Sequence, residues 1–404
     1  MRLFKFLIIY SILIIYSLEI LLFFYIPEKQ KSMVQIKKER INIAKKNNLQ
    51  YDLRSPTQFY IDEKKNNKNL EPKFFYAKSF SSFKVFQEAK KNKTLIPFRG
   101  PINKNSTSCA EDLIYRIYEN DKYGFKNSNK IYEKKINTFL LGDSYAEGLC
   151  VNREEDIAGN LNSKEINTIN FGVTDTGPLV SLAILREFGE KFKPKNVVYL
   201  YFEGNDLDDL NFEKNETNLP EYLDLNFKLD YLERYDEIFS FLDKAKVESE
   251  NRLIGLNKDR DLNTKKLTES YLEHIQDIAE LNNIRNIIRY SILKKQKKIY
   301  DLDLFFSIVN KMKFETSKWQ GNFYFVYVPS WSRYFTKFTN ADAKIKLKDD
   351  ILKNLKLNDI SVLDLTDFFD NSKNIEQYFP LGYLGHYNAR GYAKIAEIIA
   401  KNIK

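Results

Sequence analysis

The chain has 404 residues, of which 43% are apolar, so it can bury at least one complete hydrophobic core. Its net charge of +9 comes from 64 Lys and Arg set against 55 Asp and Glu, with the lysines scattered along the chain. Outside the segment after residue 28, no basic stripe with interleaved aromatics and no nucleic-acid-binding motif accompanies this charge. Composition therefore argues against a nucleic-acid-binding protein and favours one main domain with smaller appendages.

The N-terminus carries a long apolar run. Arg2 and Lys5 precede Phe6–Ile26, which is 21 residues long and has two serines and one glutamate as its polar members. A helix of this length can span a bilayer. The bulky or rigid residues Tyr25–Pro27 do not suit a signal-peptidase site, so an uncleaved anchor is favoured. The sequence predicts a transmembrane signal anchor over residues 1–27, in a single-pass membrane protein.

The rest of the chain divides by composition into two parts. Residues 28–130 begin Lys-rich and continue with aromatic runs and turn signals, which predicts a juxtamembrane stalk and an N-terminal extension packed on the main domain. Residues 131–404 alternate short β-rich runs with helical periodicity, the pattern of parallel βαβ units. Within this part, residues from about 211 to 321 are too many for a loop and show helical periodicity, so they predict a helical insertion.

Five strands are predicted in the main domain, each ending near a Gly, Asn or Asp. They cover residues 137–141, 166–170, 196–202, 322–328 and 360–365. Helices fit between them, such as the one opened by Gly177-Pro178, where proline suits the first helical position. The sequence therefore predicts an α/β fold with a doubly wound parallel five-stranded sheet, in which ligands bind beyond the carboxyl ends of the strands.

A serine and a histidine fall where such a sheet binds ligands. Ser144 follows the first strand, and a serine needs a neighbouring base before it can attack a carbonyl. Of the two histidines, His274 lies in the helical insertion and is best explained by packing or surface exposure. His386 lies in a loop before the terminal helix, where capping that helix is an alternative role. We expect Ser144 as the nucleophile and His386 as its base.

Ester chemistry also needs hydrogen-bond donors for the oxyanion. Gly172 after the second strand can offer its N–H, Asn205 its side-chain amide, and Ser144 its own N–H. Removing one such donor typically costs about 2.7–4 kcal/mol in the transition state. A Gly-Asn-Asp after a strand is by itself more often a helix entry, with Asp206 as the N-cap. The combination with a serine and a histidine favours an oxyanion hole.

Four sequence blocks follow one another in this chain: Gly142-Asp-Ser144, Gly172, Gly204-Asn-Asp206 and His386. In this order they resemble the SGNH (GDSL-like) hydrolases, and the resemblance covers residues 135–210 and 360–404. The longer stretches Leu141–Gly148 and Tyr201–Leu210 look like a bacterial, membrane-anchored, uncharacterised branch of that superfamily, which implies that the predicted anchor lies in a bacterial inner membrane. The resemblance implies a flavodoxin-like three-layer fold, serine esterase or acetylesterase chemistry, and neither a metal nor a cofactor. It also implies the roles given above to the residues of the four blocks.

The orienting acid departs from the family pattern. The family places an Asp three residues before the histidine, and here that position is Tyr383. Three explanations remain open. A backbone carbonyl orients His386 in a Ser-His dyad, Asp364 or Asp367 near the sheet edge substitutes, or activity is low or absent.

Other enzyme classes lack their motifs in this sequence. There is no Gly-x-Ser-x-Gly elbow of an α/β-hydrolase, no phosphate-binding Gly-Lys-Ser/Thr, and no His or Cys cluster for zinc. With two histidines in the chain, a metal site would have to be built from carboxylates. We therefore expect no metal.

The two cysteines bear on the cellular compartment of the protein. Cys109 and Cys150 are the only two, and an even pair in a chain with an export-type N-terminus suggests a disulfide in an oxidising compartment. Two unrelated buried thiols are the alternative. We expect the disulfide, because Cys150 follows Ser144 by six residues and a covalent link there would brace the site. The basic residues between 29 and 40 leave orientation open, since the positive-inside rule would draw them inward.

The expected function is hydrolysis of an ester outside the cytoplasm, in the periplasm or an equivalent space. The substrate expected is an O-acylated cell-envelope glycan or a small ester, cleaved through an acyl-serine. The expected partners are this substrate and, through the N-terminal helix, a membrane, with the oligomeric state open and no nucleic acid. Two alternatives stand beside it: a polysaccharide O-acetyltransferase on the same scaffold, and a non-catalytic SGNH-like envelope module.

Overall fold

The structure is a computed structural model that describes most of the chain. The described residues are 2–25, 33–76, 81–92, 96–216, 218–263, 278–281, 284–285, 300–335 and 344–403. The chain divides into two compact units, one of Met1–Lys37 with Gly255–Ile299 and one of Lys38–Ile254 with Tyr300–Lys404. The larger unit contains every strand of the described residues and all the candidate site residues.

The smaller unit contains helix α1 (Arg2–Tyr25). Its apolar sequence is interrupted by Glu19, which is buried and accepts a hydrogen bond of 2.9 Å from the backbone N–H of Ile284. Among the described residues, no helix has both the length and the apolar character needed to cross a membrane. The predicted transmembrane helix over residues 1–27 is therefore not supported. His274 lies outside the described residues.

The N-terminal extension begins with helix α2 (Met33–Lys46) and continues through two small antiparallel sheets. Strand β1 (Phe74–Phe75) pairs with β2 (Arg99–Gly100), and β3 (Asn105–Thr107) pairs with β4 (Ile117–Glu119). Aromatic residues of this region share one hydrophobic core with the main domain. The extension contributes Phe74, Phe86, Phe98 and Phe125, and the main domain contributes Phe139 and Phe171. The extension is thus packed on the α/β domain from residue 38 onward, within the same compact unit.

The central sheet has five parallel strands in the order β6-β5-β7-β8-β9. Their bounds are β5 Thr138–Gly142, β6 Thr168–Asn170, β7 Asn196–Phe202, β8 Asn322–Val328 and β9 Ser361–Asp364. The third and fourth strands have the predicted bounds. The second begins two residues late, because the N–H of Ile166 bonds back to Leu161 O and closes the turn before it.

Helices cover both faces of this sheet. After α2 they are α3 Pro56–Asn66, α4 Lys84–Asn92, α5 Ser144–Glu147, α6 Ile157–Asn162, α7 Pro178–Phe192, α8 Asp206–Glu213, α9 Tyr235–Asn263, α10 Leu302–Ser317, α11 Trp331–Phe335, α12 Lys348–Leu357, α13 Thr366–Asp370 and α14 Ala389–Asn402. One core contains residues of α7, α10 and α12 with the extension, and the other contains α6 and α14. The predicted doubly wound α/β fold is confirmed, and buried residues on both faces explain the apolar strands.

The topology also defines where a ligand would bind. Strand β5 lies between β6 and β7, so the chain leaves β5 toward one edge of the sheet and later returns to build the other. In such a sheet the loops on either side of the switch separate and leave a crevice at the carboxyl ends of the strands. Helix α5, which follows β5 at this edge, begins at Ser144.

The predicted helical insertion contains helices where it is described. Its last helix, α10, packs against α7 and leads into β8, so it acts as a crossover helix of the sheet. Helix α9 also belongs to this segment. Residues 217, 264–277, 282–283 and 286–299 of the predicted insertion lie outside the described residues.

Candidate active site

Ser144 is the first residue of helix α5, directly beyond the carboxyl end of β5. The turn into the helix needs Gly142, which has φ 139° and passes so close to Leu200 O that a Cβ would lie 2.6 Å from it. The side chain of Asp143 caps the helix by accepting a hydrogen bond of 2.9 Å from the N–H of Tyr145. Only 6% of Ser144 is exposed. The local sequence thus holds a nearly buried hydroxyl at the sheet edge.

His386 contacts this serine. Its Nε2 lies 2.8 Å from Ser144 Oγ, although 242 positions separate the two residues. The loop that carries it is anchored on both sides, since the buried Tyr387 hydroxyl donates to Pro329 O at 2.8 Å and Asn388 caps α14 by accepting from Gly391 N at 3.0 Å. The structure brings together the two residues that the sequence predicts as nucleophile and base.

A carboxylate from the N-terminal extension completes the arrangement. Glu111 Oε1 lies 3.1 Å from His386 Nδ1, and its Oε2 accepts a hydrogen bond of 2.7 Å from the His386 backbone N–H. The carboxylate therefore contacts both the ring and the main chain of one residue. This geometry suits an imidazole whose Nδ1–H faces Glu111 and whose Nε2 lone pair faces Ser144.

The two charges shift each other's ionisation. Burial by itself raises the pKa of Glu111, but the charge and hydrogen bonds of His386, with the charge of Arg40, outweigh it and the net pKa is lowered. Burial by itself lowers the pKa of His386, but the charge and hydrogen bond of Glu111, with the charge of Asp143, outweigh it and the net pKa is raised. Each partner thus favours the charged form of the other.

The sequence-based candidates for the orienting acid are elsewhere. Asp364 Oδ1 accepts hydrogen bonds from the N–H and hydroxyl of Thr366, and its Oδ2 lies 2.7 Å from Lys348 Nζ. Asp367 is exposed in the first turn of α13. The acid beside His386 is Glu111, so Asp364 and Asp367 do not have the position predicted for them.

The disulfide explains how Glu111 reaches the site. Cys109 and Cys150 are bonded, as predicted, with their Cα atoms 4.8 Å apart. Glu111 follows Cys109 by two residues, and Cys150 follows Ser144 by six, so the bond joins the acid-bearing loop to the segment after the nucleophile. The cysteine spacing was a signal in the sequence that could have indicated Glu111.

Two of the three predicted oxyanion donors, Gly172 and Asn205, already have acceptors in this structure. The N–H of Gly172 donates to Asn170 Oδ1 at 2.9 Å. The Asn205 amide donates to Asp209 Oδ2 at 2.6 Å. As the first residue of α5, Ser144 has an N–H without a partner inside its own helix, and it is the donor nearest the hydroxyl.

Gly172 and Asn205 have structural roles besides. A Cβ on Gly172 would lie 2.1 Å from the backbone N of Glu147, so only glycine lets this loop pack on α5. Burial raises the pKa of Asp143 to about 6, while hydrogen bonds from Tyr145 N–H and the Asn205 amide act in the opposite direction. Asn205 therefore lies between two carboxyl groups beside the nucleophile.

A buried ion pair holds the far end of helix α5. The Arg99 guanidinium makes two hydrogen bonds of 2.7 Å to the two carboxylate oxygens of Glu147, and both side chains are 1% exposed. Glu147 also accepts a hydrogen bond of 3.0 Å from Thr174 N–H. Burial raises the pKa of Glu147, but Arg99 and Lys73 outweigh it and the pKa falls well below its ordinary value. Sequence analysis identified none of these residues.

Two further features lie beside the His386 loop. The potential ligand atoms of Glu111, Cys150 and His386 are within 4.8 Å of one another, but the sulfur of Cys150 is bonded to Cys109 and has no thiolate to offer a metal. A cavity of about 330 Å³ borders Cys150, Tyr387 and Asn388. The disulfide therefore has an open space on one side.

Several solved structures are similar to this chain, among them the following two. A lipolytic protein of the G-D-S-L family from Desulfitobacterium hafniense has 12% identity and a TM-score of 0.36, with 66% of this chain and 98% of that chain covered. A GDSL-like lipase from Bacteroides thetaiotaomicron has 12% identity and a TM-score of 0.33, with 69% and 90% covered. No protein-family model matches the sequence, and no curated protein does.

The fold and the site agree with what the sequence resemblance implies. The sheet is doubly wound, and Ser144 and His386 are in contact at its carboxyl edge, as expected for the SGNH (GDSL-like) hydrolases that the sequence motifs resemble. What this particular chain does has to be argued from its own residues.

Proposed function

We propose that this protein is a serine ester hydrolase that uses Ser144, His386 and Glu111 as a catalytic triad. The observation that carries the proposal is the continuous chain of contacts from Ser144 Oγ through both ring nitrogens of His386 to the Glu111 carboxylate, at 2.8 and 3.1 Å. A hydroxyl, an imidazole and a carboxylate in this order are the groups that acyl transfer to serine requires.

The reaction proceeds in two halves. Ser144 Oγ attacks the ester carbonyl carbon while His386 Nε2 takes the hydroxyl proton, and the imidazolium formed is stabilised by Glu111. The tetrahedral intermediate collapses by breaking the bond to the alcohol oxygen, which leaves with the proton from His386. A water molecule then attacks the acyl-serine, again losing a proton to His386. The carboxylic acid is released, and Ser144 recovers its proton.

The oxyanion is held at the start of helix α5 in this proposal. The N–H of Ser144 is the first donor, and the amide of Asn205 and the N–H of Gly172 join it by exchanging their present acceptors for the oxyanion. Such donors act strongly because the site is buried and water does not compete with them. The 6% exposure of Ser144 is consistent with that requirement.

The proposed substrate is an acyl, in particular acetyl, ester on a cell-envelope glycan outside the cytoplasm. The disulfide supports the compartment, because disulfides persist in oxidising environments and are rare in the cytosol. The resemblance to SGNH esterases supports the acyl chemistry. The glycan is inferred by combining this chemistry with a compartment outside the cytoplasm.

An activity-based probe tests the proposal. The full-length protein is treated with a fluorophosphonate, and we expect labelling at Ser144 that Ser144→Ala abolishes, together with turnover of p-nitrophenyl acetate. Ser332→Ala, which changes a serine outside the triad, serves as the control and keeps its labelling. Failure of the wild-type protein both to label and to turn over the ester contradicts the proposal and favours a non-catalytic module. Acetyl release that depends on an added carbohydrate acceptor identifies a transferase instead.

A further inference from the structure

Helix α2, which precedes the α/β domain by about 90 residues, reaches the candidate site with two charged side chains. Arg40 Nη2 donates a hydrogen bond of 2.6 Å to Leu384 O, two residues before His386. The same nitrogen lies 3.8 Å from Glu111 Oε1. The neighbouring Glu39 accepts a hydrogen bond from the hydroxyl of Tyr383. One turn of α2 thus contacts the loop that carries the base and the carboxylate that faces it.

The position of Arg40 is buried, with 7% of the residue exposed. Desolvating a guanidinium is costly unless a carboxylate and hydrogen-bond acceptors compensate. Its Nε is buried without a hydrogen-bond partner, so the compensation comes through Nη2, which faces both Glu111 and Leu384 O. A buried ion pair often stabilises the folded state no more than apolar packing does. Stability alone therefore does not explain a guanidinium at this position.

The His386 loop is shaped to admit this contact. A Cβ at Gly385 would lie 2.6 Å from Glu111 Oε2 and 3.2 Å from Arg40 Nη2. Glycine at this point lets the backbone N–H of the next residue approach the carboxylate to 2.7 Å. Carboxylate, guanidinium and loop are therefore close-packed around one another.

We propose that Arg40 is a positioning residue of the active site, which holds Glu111 and the Leu384 carbonyl so that His386 faces Ser144. The inference rests on the proposed function, because it assigns a role in the same reaction. It makes helix α2 part of the catalytic unit, although that helix lies outside the part of the sequence that resembles SGNH hydrolases.

Loss of the Arg40 charge should change the pH dependence of activity. Arg40 offsets part of the negative charge of Glu111, so its removal leaves that carboxylate better able to stabilise the imidazolium of His386. The pKa of His386 then rises, and the acid limb of the activity profile moves to higher pH. The other groups whose charges act on these residues are Asp143 and Glu147 on His386, and Asp112 and Tyr383 on Arg40.

The experiment compares three full-length variants with the wild type in kcat and KM for p-nitrophenyl acetate over a range of pH. Arg40→Met removes the charge and both contacts, Arg40→Lys keeps the charge, and Lys45→Met removes an exposed charge from the same helix. We expect Arg40→Met to lower kcat by about 10–100-fold with little change in KM, since misplacement of a catalytic group costs about 10²-fold. The acid limb of its pH–activity profile moves to higher pH, whereas Arg40→Lys keeps the acid limb of the wild type. Lys45→Met matches the wild type in kcat, in KM and in its pH–activity profile.

The outcomes separate this inference from the proposed function. If the wild type labels at Ser144 and Arg40→Met keeps its kcat or its acid limb, the positioning role is wrong while the hydrolase stands. If the wild type itself neither labels nor turns over ester, the proposed function fails first. Should Arg40→Met not fold, Arg40→Lys decides: full wild-type kcat would contradict a role that depends on the guanidinium geometry.

Discussion

The carboxylate of Glu111 contacts both the imidazole and the backbone N–H of His386, although the two residues are 275 positions apart in the chain. In the family that the motifs resemble, the acid comes from the loop of the histidine itself. Here Tyr383 has that place, and its hydroxyl donates to Glu39 of helix α2. The N-terminal extension therefore supplies the group that the histidine loop lacks.

Replacement of the acid tests its role directly. Glu111→Gln removes the charge that fixes the tautomer of His386, so we expect kcat to fall by on the order of 10²–10⁴-fold, as for an amide in place of a triad acid. Asp364→Asn changes one of the two acids that the sequence offered as a substitute, and it is expected to keep at least half of the activity. Glu154→Gln, at a side chain that is 71% exposed, controls for loss of charge. Equal activity of Glu111→Gln and the wild type would contradict the triad.

The pH dependence of labelling follows from the sign of the His386 shift. Attack requires neutral imidazole, and the charge and hydrogen bond of Glu111 outweigh burial and raise the pKa of this group. The rate of fluorophosphonate labelling should therefore increase with pH through a midpoint above about 6.5, the ordinary value for histidine. In Glu111→Gln the burial remains and the charge is gone, so the midpoint moves to lower pH. An unchanged midpoint would show that Glu111 does not act on His386.

Breaking the disulfide should lower both the stability of the fold and the activity of the site. Paired Cys109→Ser and Cys150→Ser free a loop of 41 residues, for which chain entropy predicts a loss of about 4 kcal/mol in the free energy of unfolding. We expect a lower melting temperature and at least tenfold lower kcat at temperatures where the variant is folded. Reductant added to the wild type should reproduce both changes and leave the variant unaffected. Full activity of the folded, reduced protein would refute the bracing role.

Gly172 should be intolerant of substitution for a packing reason. Gly172→Ala places a Cβ 2.1 Å from the backbone N of Glu147, and we expect a loss on the order of 3 kcal/mol or more in stability, as for severe overpacking. Gly255→Ala is the matched control, because its Cβ would meet nothing within 4 Å. Thermal unfolding of both variants measures the difference. A Gly172→Ala protein as stable as the wild type would contradict the close packing.

Asn205 should affect the chemical step more than stability. Asn205→Ala removes an amide beside the nucleophile, and loss of one oxyanion donor lowers kcat by about 10²–10³-fold. The control is Asn215→Ala, which removes an exposed asparagine whose side-chain amide donates to Asn211 O. Steady-state kinetics on p-nitrophenyl acetate measure both. If Asn205→Ala changes the melting temperature and not kcat, the amide only separates the carboxyl groups of Asp143 and Asp209.

Much of the fold could be predicted from local pattern. Parallel strands buried on both faces are continuous apolar runs, so β7 and β8 have the predicted bounds. The ends of a strand depend on single hydrogen bonds, which the local sequence pattern does not predict. An example is the bond from Ile166 N–H to Leu161 O, which makes β6 begin two residues later than predicted. The predicted transmembrane helix rested on the apolar run and the residues that flank it, whereas the buried Glu19 accepts a hydrogen bond from the backbone N–H of Ile284, far along the chain.

The sequence by itself determined the parallel sheet, the serine after its first strand and the histidine before its last helix, because each depends on a short stretch of chain with its own periodicity or motif. Only the tertiary structure decided which acid faces His386 and which residues hold it. Glu111 and Arg40 lie in segments without a recognisable motif, and they reach the site because a disulfide and a buried helix face bring distant parts of the chain together. Contacts of that kind are set by packing in three dimensions, and no local pattern of residues encodes them.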